Sequence, residues 1–299
     1  MHLSTVEAVL DYEVGEPSHF RFQLEAARCA SQRIHGEQLS VWPPVPVSAY
    51  EDPASGNRFV RLDAPVGRLT IEYKAEVEVH AQRLEDTLPE VPVCGVPDDV
   101  LQHLLPSRYC ESDLLAPFVR EQFGRLPPGL ARVRQVVDWI HHHIEYRPGS
   151  TCSSTTSREV LAQRAGVCRD FAHLGITFCR ALNIPARLVA GYVWFDEPPQ
   201  DFHAVFEAWL GGQWVMFDPT GMAPVDRLVR IGTGRDAKDV AFCTSFGQVK
   251  LVRKVVSVLE HDPRVPAAGT HERALALAAG APLTAGPAAG LPAAPAVPA

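Results

Sequence analysis

The chain has 299 residues, with 28 Lys+Arg against 35 Asp+Glu and a formal net charge of −7. At roughly 100–200 residues per domain, that length predicts two domains, and 46% hydrophobic with 21% charged residues is ordinary globular composition. The acidic balance offers no footprint for nucleic acid or an anionic membrane surface, and no apolar run approaches the roughly 18 residues of a spanning helix.

Met1 to Glu7 lacks the basic and apolar regions of a secretory signal, so a cytoplasmic or equivalent reducing setting is expected. Cysteines stand at positions 29, 94, 110, 152, 168, 179 and 243. Their odd number and the absence of CxxC spacing argue against a disulfide framework and a structural zinc site.

Residues 1–90 read as β. Val6, Ala8, Leu10, Tyr12 and Val14 alternate with polar positions, as do Phe20, Phe22, Leu24 and Ala26, and most clearly Leu69 to Val79. Period-2 alternation marks strands with one buried face in an antiparallel sheet. The prolines in Trp42-Pro43-Pro44-Val45-Pro46 make that stretch a connection. The region is expected to form a small β-sandwich, joined through the Pro-marked stretch Leu88–Pro97 to a second domain over 98–260.

There the period becomes helical. Ser112 is the expected cap of a short helix ending near Gly124. Leu130, Val133, Val136, Val137, Ile140 and Ile144 define an amphipathic helix that stops before Pro148. Thr156 and Glu159 form a capping box for another helix, expected to close at Gly166. A longer helix runs from about Cys168 to Leu182, halted by Pro185. Strands are expected at Arg187–Trp194, His203–Leu210 and Gln213–Phe217, with Leu251–Leu259 as an additional candidate. The chain is therefore α+β. Of residues 261–299, 14 are Ala and 7 are Pro, with no Phe, Tyr or Trp; such a segment is expected to be a disordered tail.

The chemistry concentrates in Gly166-Val167-Cys168-Arg169-Asp170-Phe171-Ala172-His173. A cysteine opening a helix meets unpaired N–H groups and the positive dipole end, which favour its thiolate. Gly166 leaves room for a sharp turn and for close approach of a substrate, and the Cys168 N–H is a candidate oxyanion donor. Downstream, Gly211-Gly212 is a hairpin signal. With a two-residue loop, Leu210 faces Gln213, so Val205 faces Asp218 and His203 faces Thr220, and the side chains of these last four lie on one side. His203 and Asp218 are then diagonal neighbours, about 7–8 Å apart along the backbone. Nucleophile, imidazole and orienting carboxylate follow in chain order.

These blocks, with Pro185-Ala186-Arg187, Gly191-Tyr192 and Asp218-Pro219-Thr220, resemble the core of the transglutaminase-like superfamily, and most closely its bacterial branch of cysteine-protease-like members. Leu105-Pro106-Ser107-Arg108-Tyr109 and the N-terminal β region share that resemblance, which spans about residues 1–260. It implies a papain-like core, a nucleophile helix on an antiparallel sheet, with Cys168 as nucleophile, His203 as general base and acid, and Asp218 as orienter. Animal transglutaminases add later β domains, calcium sites and an upstream Trp as second oxyanion donor. No acidic spacing of an EF-hand kind is present, and neither Trp42 nor Trp139 is well placed, so no metal or cofactor is expected and the second donor has no assignment.

Other residues have plainer readings. His141-His142-His143 point in three directions around a helix and fit a solvated face better than a metal site. Cys179 reads as core, Cys152 as an exposed loop thiol, and Asp170 with His173 as structural. Trp194, Trp209 and Trp214 are expected near the triad, as core or as cleft wall. The function expected is amide cleavage through a thioester, by a peptidase or amidase acting on a protein, peptide or small amide. The alternatives are a protein-glutamine γ-glutamyltransferase and a catalytically silent interaction module.

Overall fold

The computed structural model describes residues 1–81, 87–261 and 278–279. The N-terminal unit begins with β1 (His2–Val14), β2 (Ser18–Phe22), β3 (Gln32–Trp42), β4 (Val47–Glu51), β5 (Arg58–Ala64) and β6 (Gly67–Val79). The alternation read in β1 and β6 becomes a register: Val6 pairs with Ala75, Ala8 with Tyr73, Leu10 with Ile71 and Tyr12 with Leu69. These side chains are buried against Phe20, Phe22 and Leu62 from a second sheet, which makes the expected sandwich. The prolines at 43, 44 and 46 fall between β3 and β4, where no ladder donor is needed.

Helices follow: α1 (Asp98–Leu101), α2 (Ser112–Phe123) and α3 (Leu130–His143), then β7 (Glu145–Tyr146), α4 (Ser157–Gln163), β8 (Ala165–Gly166) and α5 (Cys168–Ala181). The Thr156–Glu159 capping box is present. The helix it opens closes at Arg164, which takes the left-handed conformation (φ 57°), and not at Gly166. Gly166 instead lies in β8, paired in parallel with Tyr146.

A central sheet is built from β9 (Ala186–Tyr192), β10 (His203–Leu210), β11 (Gln213–Phe217) and β12 (Val229–Gly234). β10 and β11 have the expected bounds and the expected register, from Leu210–Gln213 to Phe206–Phe217. Every residue of α5 from Asp170 to Ala181 is buried, between this sheet and α2, α3 and α4. One core runs through Phe171, Leu174, Phe178, Phe206 and Phe217.

β12 has no counterpart among the expected strands. Its glycines weaken the strand signal, and their cause is packing. A Cβ on Gly232 would stand 2.1 Å from Gln23 Nε2 and 2.7 Å from Asn57 Oδ1, side chains of the N-terminal unit. The two units also share apolar contacts: Tyr192, Val229 and Ile231 join the sandwich core, and the Tyr192 hydroxyl donates to the Leu24 carbonyl at 2.7 Å.

The chain then returns to its beginning. β13 (Cys243–Phe246) pairs with β2, and β14 (Val249–Glu260) pairs with β1 from Val14–Val249 to Ser4–Glu260. The strand candidate at 251–259 therefore completes the N-terminal sheet, and residues 243–260 extend the sandwich although the reading by domains grouped them with 98–260. The sheets are ordered β14-β1-β6-β3 and β13-β2-β5-β4. The Leu88–Pro97 stretch is strapped to the second unit: Leu88 and Pro89 carbonyls accept from Leu130 and Gly211 at 2.8 Å. The expected disordered tail at 261–299 falls largely outside the described residues. Within it, Ala278–Ala279 form β15, paired with Trp214 and Val215 on β11.

The return of β14 is testable by adjacent residues on opposite faces. Val256 is 5% exposed and packs in the sandwich core, whereas Val255 is 41% exposed. Val256→Asp buries an unpaired charge and is expected to cost about 3 kcal/mol, lowering Tm by roughly 6–12 °C. Val255→Asp is expected to stay within about 0.5 kcal/mol of the parent. Thermal melts of the two variants measure the contrast.

Candidate active site

The first turn of α5 emerges where β7, β8 and the start of β10 converge. Val167 at the N-cap is extended and has no acceptor in its side chain. The cap is made from the other side: the Asp170 carboxylate accepts from the Val167 N–H at 2.9 Å and from the Thr151 hydroxyl at 2.6 Å. Arg169 adds a hydrogen bond to Asp170 at 3.1 Å and one to the Cys152 carbonyl at 2.9 Å, tying the 151–155 loop to the helix start. Gly166 makes this possible, because a Cβ there would meet the Asp170 Cβ at 2.8 Å. The close approach expected of Gly166 is thus to Asp170, whose role is positional.

Cys168 is half-buried at the head of this turn. His203 begins β10 and is 1% exposed, and Asp218 follows β11 and is fully buried. His203 Nε2 and Asp218 Oδ2 are 2.9 Å apart. Asp218 is fixed in turn by the Thr220 N–H at 2.9 Å, the Thr220 hydroxyl at 2.7 Å and the Ala223 N–H at 3.3 Å. The Asp-Pro-Thr sequence is therefore a socket that locks the carboxylate. Burial works to raise the Asp218 pKa, but the His203 charge and hydrogen bond and the Thr220 donors hold it below the ordinary value.

Burial likewise disfavours protonated His203. The Asp218 charge and hydrogen bond outweigh it, the Cys168 thiol contributes in the same direction, and the pKa is raised to about 10. The imidazole is therefore a cation at neutral pH, held between carboxylate and sulfur. The Phe195 ring closes one side, 5.6 Å from the imidazole centroid.

Tyr146 was missed in the sequence because β7 has two residues, too few for any periodicity. Its pairing opposite Gly166 brings it to the nucleophile. Burial raises the phenol pKa and the Cys168 sulfur adds to the rise, while a hydrogen bond with the Cys168 backbone works the other way. The hydroxyl thus keeps its proton beside the Cys168 amide.

Trp209 and Trp214 do not belong to this site. They pair across β10 and β11 and pack with His103 and Arg187. Strand parity does put Trp209 on the His203 side, but six residues at about 3.3 Å each carry it roughly 20 Å along the strand. His142 and His143 place Nδ1 at 2.7 and 2.8 Å from carbonyls one turn back, and His143 stacks on Trp139. Cys179 is wholly buried and burial pushes its thiol up. His173 stacks on Tyr109 and its Nε2 accepts from the Ala237 N–H at 3.1 Å. Cys152 is exposed, and hydrogen bonds with Ser154 and Thr155 lower its pKa to about 7.

Two thiols should therefore label first at neutral pH, Cys168 and Cys152, ahead of buried Cys110 and Cys179. Under limiting iodoacetamide, His203→Ala is expected to slow Cys168 by roughly 10²-fold and leave Cys152 unchanged; peptide mapping reads both. The raised His203 pKa also gives a stability signature. Its contribution is full below the unfolded value of about 6.5 and disappears as pH rises toward 10. The Tm advantage of the parent over His203→Gln is expected to shrink across that window.

Residues 117–219 match the family model described as the transglutaminase-like superfamily, and residues 2–99 match the bacterial transglutaminase N-terminal domain. A candidate cysteine protease from Cytophaga hutchinsonii, known from a crystal structure, is 38% identical. That match covers 93% of this chain and 97% of the other, with a TM-score of 0.86. An uncharacterized protein of Mycobacterium leprae is 30% identical over 60% of this chain and 68% of its own length. An uncharacterized Mycobacterium tuberculosis protein is 35% identical over 43% of this chain, and the match spans 46% of that relative.

Proposed function

Because the chain belongs to the transglutaminase-like superfamily, we propose that it cleaves amide bonds of proteins or peptides through a thioester on Cys168. The observation that carries this reading is the buried His203–Asp218 pair at 2.9 Å with the Cys168 sulfur on the other side of the imidazole.

In the proposed sequence, the Cys168 sulfur attacks the amide carbonyl carbon, and the carbonyl electrons move onto oxygen. The Cys168 N–H and the Tyr146 O–H stabilise that oxyanion. Imidazolium His203 gives its proton to the departing amine, the C–N bond breaks, and a thioester remains. Neutral His203 then takes a proton from water as the water attacks the thioester, and the sulfur leaves with its electron pair. Nε2 is engaged by Asp218, so Nδ1 is the nitrogen that serves the reacting atoms. Asp218 orients the ring and stabilises its charged form.

Hydrolysis is the proposed outcome, as opposed to transfer to an amine. Transfer needs a cleft that excludes water around the thioester, and two of the three tryptophans expected to wall one, Trp209 and Trp214, lie at the other end of the sheet. The free state of all seven cysteines supports a reducing compartment.

Intact-mass trapping with a peptide and amide library is expected to add an acyl group to Cys168 and none to Cys168→Ala. His203→Ala should abolish turnover. Asp218→Asn should cost less than the roughly 10⁴-fold seen for that change in a serine triad, since a thiolate needs less help. Tyr146→Phe should lower kcat by about 10²–10³-fold with little change in KM. With casein, a fluorescent primary amine and no calcium, ammonia and new amino termini should outpace amine incorporation. The reverse order identifies a transferase, and full activity in folded His203→Ala removes the triad.

A further inference from the structure

A cavity of about 910 Å³ lies where the sandwich meets the far end of the central sheet, and Cys168, His203 and Asp218 do not line it. Its size is that of a site for a small organic ligand or a few residues of peptide. Arg21, Tyr50 and Phe59 come from the sandwich, and His103, Arg187, Trp209 and Trp214 from the second unit.

The inner wall carries an excess of positive charge. Glu207 is fully buried and binds two guanidinium groups, Arg187 Nε at 2.7 Å and Arg230 at 2.5 Å. Among the described residues, neither arginine has a salt bridge to a second carboxylate. Two cations against one anion leave a positive charge that burial penalises and that an incoming anion would compensate. Of the acidic side chains around the rim, Asp239 pairs with Arg235 at 2.8 Å, Glu51 with Arg28 at 3.9 Å, and Asp52 accepts from the Ser55 hydroxyl at 2.5 Å; Asp99 also lines the cavity.

The same wall is aromatic. The Arg187 guanidinium lies 4.1 Å from the Trp214 ring centroid, and Trp209 and His103 each stand edge-on to Trp214 at 5.2 Å. Two buried polar atoms there have no hydrogen-bond partner among the described residues: Trp209 Nε1 and His103 Nδ1, the latter on a residue 8% exposed. Buried polar atoms ordinarily have partners. Burial, with Arg187 and Arg180 nearby, lowers the His103 pKa to about 3, so the ring is neutral.

We propose that this cavity is a second binding site, for a carboxylate carried on an apolar or aromatic body. Arg187 supplies the counter-charge, the Trp209 N–H a hydrogen bond, and the two indole planes the packing surface. The same chemistry is offered by the terminal carboxylate of a peptide and by a free small aromatic acid.

Calorimetric titration of full-length Cys168→Ala, which cannot turn over, separates these sources. The probes are N-acetyl-L-phenylalanine, N-acetyl-Gly-Gly-Phe with the same free terminus, and N-acetyl-L-phenylalaninamide. Saturable binding of at least one acid is expected, with the amide about tenfold weaker. Tighter binding of the tripeptide assigns a peptide terminus, and tighter binding of the single amino acid a small acid. Trp209→Phe, which keeps a ring and removes the N–H, is expected to weaken the acids several-fold while Cys168 alkylation in the parent background is unchanged. Absence of binding by both acids at millimolar concentration overturns the proposal. So does equal binding of the amide, or unaltered affinity in a Trp209→Phe variant whose circular dichroism matches the parent.

Discussion

Helix α5 cannot exist as a surface helix. From Asp170 to Ala181 it is buried all round, and each large apolar side chain removed from water stabilises the fold by about 1.5–3 kcal/mol. Such a helix needs a sheet on one flank and helices on the others, which is the arrangement of the second unit. The burial also dictates where chemistry can occur. With its body enclosed, α5 presents only its first turn, and Cys168 sits there. Everything that caps this turn, from Asp170 and Thr151 to Arg169, holds the nucleophile in place.

The central sheet carries two fully buried carboxylates that solve the same electrostatic problem differently. Asp218 is held by an imidazole and by Thr220 and Ala223, and it tunes a proton. Glu207, four residues along β10 from His203, is held by two guanidinium groups and ties β9, β10 and β12 together. A buried charge persists only where partners satisfy it. The sheet therefore carries a titratable pair at one end and permanent ion pairs toward the other.

Much of this was legible because local rules sufficed. A Gly-Gly turn and period-2 alternation fix the parity of β10 and β11, and parity alone brings His203 and Asp218 together. The extent of α5 was legible from its apolar spacing and from Pro185 beyond its end. What escaped depends on distant partners. Alternation marks 251–259 as a strand but says nothing of which sheet it joins. The glycines of β12 hide a strand because their reason, Gln23 and Asn57, lies about two hundred residues upstream. Tyr146 lies in a strand two residues long, and Trp209, expected near the triad, lies at the other end of its strand.

The pairing of β14 with β1 also governs how the molecule is made. β1 is synthesised long before one of its partners: it is an inner strand whose second neighbour spans residues 249–260. As the chain leaves the ribosome, one full edge of β1 stays open while the whole second unit is translated. That unit, whose helices and hairpin are joined by short connections, is free to consolidate earlier. The sandwich is thus completed only once β14 has emerged, and until then its open edge is a template for any neighbouring nascent chain. Separating β1 from β14 by the whole second unit makes a fragment that stops short of residue 249 an unfinished sheet, and ties the maturation of the sandwich to that strand.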